Sequence, residues 1–295
     1  MKNIYILLLL VSNLLSAQNF QSDFSTHLKS NDTLNQKKVL EAWEQATPKD
    51  PELYTSYYNY YYRKGKEEIV TLTTEAPNGE HFVLTDSLQN TAGFLGSQTA
   101  YNAIFLEKAF AKITEGIALY PKRLDMRFGK IYGLGTVEDW SPFTTEIIKA
   151  IEQSAKNNNA WTWTNNEPRP DGKAFFLSAL QSYQVQLYNT ERDDLLPNMR
   201  QIAQTILKYY PESIESLSNL SITYFLEGDF DRGLEPLLRA EKINPADSIV
   251  LSNIAHGYKQ KGNKDKAIEY YKKTIQHGDA SMKSFAEKQI TKLMQ

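Results

Sequence analysis

Leu217-Ser-Asn-Leu-Ser-Ile-Thr-Tyr224 stands 34 residues before Leu251-Ser-Asn-Ile-Ala-His-Gly-Tyr258. At that offset Leu217/Leu251, Ser218/Ser252, Asn219/Asn253, Tyr224/Tyr258, Gly228/Gly262, Asp231/Asp265 and Glu235/Glu269 are identical. Leu217, Leu220 and Tyr224 fall at i, i+3 and i+7, one face of a helix. Ser221 is small enough to let a second helix approach. Gly228 ends the first helix where a left-handed residue is needed, and Asp229 opens the next. Gly233, Leu237 and Ala240 form the facing stripe of the second helix, and Pro245 stops it. The second copy repeats the pattern with Ile254, Ala255, Gly262, Ala267 and Tyr271.

A period of 34 residues with one helix pair per period resembles the tetratricopeptide repeat (TPR). Residues 214–281 look like two such repeats, and 282–295 read as a polar capping helix. Residues 18–213 resemble the family more loosely. Pro51, Pro121, Pro211 and Pro245 are spaced by 70, 90 and 34 residues, which read as one period plus about 36 residues, two plus about 22, and one period alone. Inserted material is expected at about 65–97, 157–172 and 189–198. In the first insertion, Glu68–Thr73 and His81–Thr85 flank Pro77-Asn78-Gly79-Glu80, which predicts a single β-hairpin turning at Asn-Gly. The resemblance implies an all-α, right-handed solenoid of about five antiparallel helix pairs carrying that hairpin. Arg123–Tyr132 (RLDMRFGKIY) and Trp161–Asn166 (WTWTNN) also resemble segments of secreted repeat proteins, a likeness that implies no activity.

Residues 1–17, MKNIYILLLLVSNLLSA, read as a signal peptide: Lys2, an apolar run over Ile4–Val11, and Ala17 before the cut. The run is too short for a membrane span. The chain is therefore expected to be exported, to a periplasm or the medium, with no transmembrane segment once processed. The 295 residues contain no cysteine, which excludes disulfides, thiolate chemistry and a lipidated anchor. A net charge of -2 and a pI near 6.2 argue against a nucleic-acid partner. Mean hydropathy is -0.51, that of a water-soluble chain.

Chemistry has no local signature. His27, His81, His256 and His277 include no i, i+4 pair, and no cofactor or metal is expected. Asp229–Glu235 mimics the start of a calcium loop, but the twelfth position is Ala240, without a carboxylate. Gly133-Leu-Gly135 lacks the third glycine of a dinucleotide fingerprint. An enzyme would have to place its site in the inserted loops, and a non-enzymatic scaffold is the expectation. Tyr54, Tyr57, Tyr58, Tyr61 and Tyr62 form a helical stripe suited to packing, with Tyr60 off it.

The leading functional expectation is a groove that binds a protein or peptide partner, lined by the first helix of each repeat. Its expected positions are Ser218, Asn219, Ile222, Phe225, Ser252, Asn253, His256 and Lys259. Asn59 takes the same repeat position as Asn219 and Asn253. Their arrangement resembles an asparagine ladder, in which each amide can donate to and accept from a peptide bond. The alternative is a carbohydrate-binding module, with Trp161 and Trp163 as stacking platforms.

Overall fold

The computed structural model describes residues 19–77 and 79–295. The expected signal peptide and Asn78 lie outside the described residues. The fold is all-α, built from antiparallel helix pairs, with one small inserted sheet. The chain divides into two compact units. The first holds the described residues up to Gly133 together with Trp163–Glu167; the second holds Leu134–Thr162 and Pro168–Gln295. The division therefore falls well before residue 214, the expected start of the clear repeats.

In the first unit, α1 (Phe20–Lys29) pairs with α2 (Thr33–Ala46), and α3 (Pro51–Lys64) pairs with α4 (Ala103–Leu119). Helix α5 (Leu124–Thr136) follows, and its last residues pass into the second unit. Side-chain caps start these helices: Asp32 accepts from Asn35 N, Asp50 from Glu52 N with Pro51 in the first turn, and Asn102 from Ile104 N. The tyrosine stripe packs as expected, with Tyr54, Tyr57 and Tyr58 buried. Tyr60 departs from the expectation. It is also buried, in a cluster with Phe24, Leu40 and Trp43. Helix α3 has neighbours on two sides, α1 and α2 on one and α4 on the other, so it carries two apolar stripes.

The insertion between α3 and α4 is a three-stranded antiparallel sheet, not the expected hairpin. Strands β1 (Lys66–Thr73), β2 (His81–Thr85) and β3 (Thr91–Tyr101) lie in the order β1-β3-β2. The two strands flanking Asn-Gly never pair; each pairs with β3 instead. The tight turn of the sheet joins β2 to β3. There Asp86 Oδ1 accepts from the backbone N–H groups of Leu88 and Asn90. The β1–β2 connection crosses one face of the sheet at Gly96. A Cβ on that glycine would lie 2.8 Å from Pro77, so the crossing needs glycine there. Asn102 N donates to Gly65 O at 2.8 Å and closes the base of the insertion.

The second unit contains α6 (Trp140–Lys156) and the pairs α7 (Gly172–Tyr188)/α8 (Leu196–Tyr209), α9 (Ile214–Leu226)/α10 (Phe230–Ile243) and α11 (Ser248–Gln260)/α12 (Lys264–His277), closed by α13 (Ala280–Met294). Leu217, Leu237, Ala240, Leu251, Ile254, Ala255, Ala267 and Tyr271 are buried in one core cluster. The repeats are continuous with the helices before them. Arg200 of α8 donates to Thr223 and pairs with Glu227, at the end of α9. Gly228 and Gly262 adopt φ of 78° and 76° at the helix ends, where the sequence places them. Asp229 caps α10 through Arg232 N, a structural use of the calcium-like segment. The asparagines before α7 also have a backbone role: Asn158, Asn159, Asn165 and Asn166 all take positive φ, which Asn tolerates best after glycine.

Phe225 explains two further glycines. A Cβ on Gly233 would lie 2.3 Å from its ring, and one on Gly257 2.6 Å. The ring thus fills a slot cut by glycine in α10 and α11. Alanine normally stabilises a helix interior by about 0.5–1 kcal/mol over glycine. Here the overlap with a packed ring dominates. Gly233→Ala is expected to destabilise the chain by about 1–3 kcal/mol in a urea melt. A second change, Phe225→Leu, should recover part of that loss.

Candidate functional site

In the first unit, α1, α3 and α5 come together. Gln21 and Ser25 of α1, Thr55, Ser56 and Asn59 of α3, and Asp125 and Gly129 of α5 line an open groove of about 320 Å³. Phe24, Leu28 and Ile113 supply its apolar surface. Asn59 is exposed on this wall. The lining mixes hydroxyl and amide groups with aliphatic and aromatic surface.

Glu52 and Asp125 also line the groove, and they lead to a buried ion cluster. Arg123 is only 1% exposed. Its guanidinium meets Asp125 through two hydrogen bonds, Nε to Oδ1 at 2.8 Å and Nη2 to Oδ2 at 2.7 Å. Its Nη1 lies 2.7 Å from Glu52 Oε1, which also accepts from Asn165 N at 2.7 Å. Burial opposes the charge of Arg123, but the hydrogen bonds to Asp125 and the pairing with Glu52 outweigh it and hold the proton above the usual range. Asn165 belongs to the short 3-10 turn Thr164–Asn166. The cluster therefore fixes that turn, and with it Thr164, at the groove edge. Residue numbers alone gave no sign of it, because Glu52 in α3 and Arg123 in the connection between α4 and α5 are 71 positions apart.

The expected groove residues of the second unit have mixed placements. Asn219 is 7% exposed, and its Nδ2 donates to Gln181 Oε1 at 2.7 Å. It joins α9 to α7 and does not face an open wall. The helical wheel correctly removed it from the core of its own pair but took no account of the preceding one. Phe225 is likewise committed to its glycine slot, with Phe230 and His256 beside the ring. Ser252 is buried; Ser218, Ile222 and Asn253 are half-buried. Lys259 donates to Gln289 of α13. Partial burial and neighbouring Lys259 push the His256 imidazole below its ordinary range. Asn59 lies in the first unit and the other two asparagines in the second. A further opening of about 310 Å³ lies between α7 and α9, with Ser178, Gln181, Ser213, Glu215 and Ser216 among its lining. The sequence reading missed its α7 side, which carries no repeat signature.

Trp161 and Trp163 do not form a platform. Trp161 is 1% exposed and packs on Phe176, with ring centroids 5.5 Å apart. Trp163 is half-buried and meets Phe128 edge-on at 6.3 Å. Each indole packs on a ring of its own unit, a structural use of both. Among the described residues, no cluster of three or more His, Asp or Glu could hold a metal ion. No described helix is long and apolar enough to cross a membrane.

No protein-family model matches the chain, and no curated protein matches it. Several solved TPR structures are similar to parts of it. YrrB, described as a TPR protein with an unusual peptide-binding site, is 18% identical over 62% of this chain and 83% of its own, with a TM-score of 0.39. MamA is 13% identical over 58% of this chain and 87% of its own, with a TM-score of 0.38. The TPR domain of P58(IPK) is 11% identical over 94% of this chain and 65% of its own, with a TM-score of 0.34. At such values the helical-repeat assignment rests on the helix pairs of the chain itself.

Proposed function

We propose that the chain is a non-catalytic scaffold that holds an extended peptide segment of a protein partner along its first helices. One observation carries this reading: α1, α3 and α5 jointly line the groove at Asn59. A peptide backbone has a donor and an acceptor at every residue, and Asn59 can serve both. Thr55 and Ser25 add hydroxyls, and Leu28 offers apolar surface for alternate side chains. Peptides can be selected from a random displayed library against the purified chain. Asn59→Ala should weaken a selected peptide at least tenfold, about 1.4 kcal/mol, in calorimetry. Because the side chain is exposed, the urea midpoint should not move. An unchanged affinity would remove Asn59 from the site.

Export is part of the same proposal. The support is the apolar run after Lys2 together with a cysteine-free chain. Intact-mass measurement of material secreted by an expressing cell should give a chain starting at Gln18. A mass that includes Met1 would contradict it.

A further inference from the structure

The inserted sheet has two unlike faces. On one, the β1–β2 connection crosses and lays Pro77 on Gly96. The other presents a cross-strand row, Leu72–Leu95–Phe82, whose members lie directly opposite one another. Val70 and Leu84, two residues along on the outer strands, extend the row on the same face. Leu72 is 67% exposed, Val70 72% and Phe82 75%. We infer that this face packs against the same face of a second copy of the chain, making a two-fold dimer through stacked sheets.

The row fits itself. A two-fold axis along β3 lays Leu72 of one copy on Phe82 of the other and sets Leu95 against its own equivalent. An isologous interface needs this kind of self-complementarity. The charged half of β1 is spared. Lys66 and Glu68 share the face of Val70, but β2 ends level with Gly96 and offers no strand opposite them. The apolar patch is on the order of 500 Å², near the top of what monomers leave exposed. Two such patches would remove about 1,000 Å² from water, the lower end of a specific interface. Stacked sheets about 10 Å apart can interdigitate side chains of this size. A near-neutral chain with net charge -2 gives no electrostatic reason to place this face on an anionic membrane instead.

Sedimentation equilibrium of the purified chain tests the inference. A dimer with a dissociation constant in the micromolar range is expected. Phe82→Asp and Leu72→Asp should each weaken it at least thirtyfold, with helical circular dichroism unchanged, because both side chains are exposed. Ile69→Asp, on the opposite face of β1, should leave the dimer intact. The absence of native cysteine allows a direct check of geometry. Leu95→Cys should join two chains through a short bis-maleimide, whereas Val83→Cys on the other face should not. A wild-type chain that stays monomeric at 200 μM, on the order of a hundredfold above the expected constant, would overturn the inference. So would equal losses from Ile69→Asp and Phe82→Asp, or cross-linking through Val83→Cys but not Leu95→Cys.

Discussion

Replacing Arg123 with methionine is expected to cost about 3–5 kcal/mol of stability, among the largest effects of any single substitution in the chain. Methionine fills much of the arginine volume, so little of the loss would come from a cavity. The cost comes from what stays behind. Glu52 and Asp125 would remain beside each other with side chains only 8% and 12% exposed, their common cation removed. Asn165 N would keep its acceptor, but Glu52 would lose the 2.7 Å pairing that orients it. The urea midpoint of Arg123→Met, followed by circular dichroism, checks the size. Adding Glu52→Gln should return part of the loss, since one uncompensated charge is then gone. A loss below about 1 kcal/mol would place the cluster among the weak, solvent-screened ion pairs.

Tyr224→Ala is the second large effect, also about 3–5 kcal/mol. The ring is 6% exposed and lies between two guanidinium groups, Arg200 of α8 at 4.5 Å and Arg232 of α10 at 4.3 Å from its centre. Arg232 also donates to the hydroxyl at 3.0 Å. Alanine would remove the packing and leave both cations without their aromatic surface. Tyr224→Phe keeps the ring and should cost only about 0.5–1.5 kcal/mol. Lys264→Ala, exposed at the start of α12, should change the midpoint by less than about 0.5 kcal/mol. Equal losses for Tyr224→Ala and Lys264→Ala would mean that the helix-pair register is wrong.

The parts of the fold that could be read from sequence are those set by local rules. The apolar helix stripes, the glycines with positive φ and the aspartate caps each act within one helix pair, and residues 214–277 form the expected helices. The sheet was only half legible. Asn-Gly suggested a local hairpin, whereas β3 reads TAGFLGSQTAY, a composition of small and polar residues that hid the central strand. Its glycines at 93 and 96 are there for close contacts, with Thr73 O and with Pro77. Features that depend on two helix pairs were out of reach. Tyr60 is buried by the pair before it, Asn219 is used by Gln181, and Arg123, in the connection before α5, meets Glu52 of α3 across 71 residues of sequence. The groove shares this property. Asn59 could be placed on it by repeat position, but Gln21, Ser25 and Gly129 come from other pairs and carry no signature.

Site-directed photo-cross-linking can show whether a peptide lies in the groove lined by α1, α3 and α5. A photoreactive phenylalanine analogue can replace Thr55, on the groove wall, or Lys264, exposed at the start of α12 in the other unit. A library-selected peptide is then added and irradiated. The peptide should become attached through position 55, with unlabelled peptide competing it away, and no attachment should occur from position 264. Attachment from position 264 alone, or none from position 55 with a peptide that calorimetry shows to be bound, would contradict a groove on α1, α3 and α5.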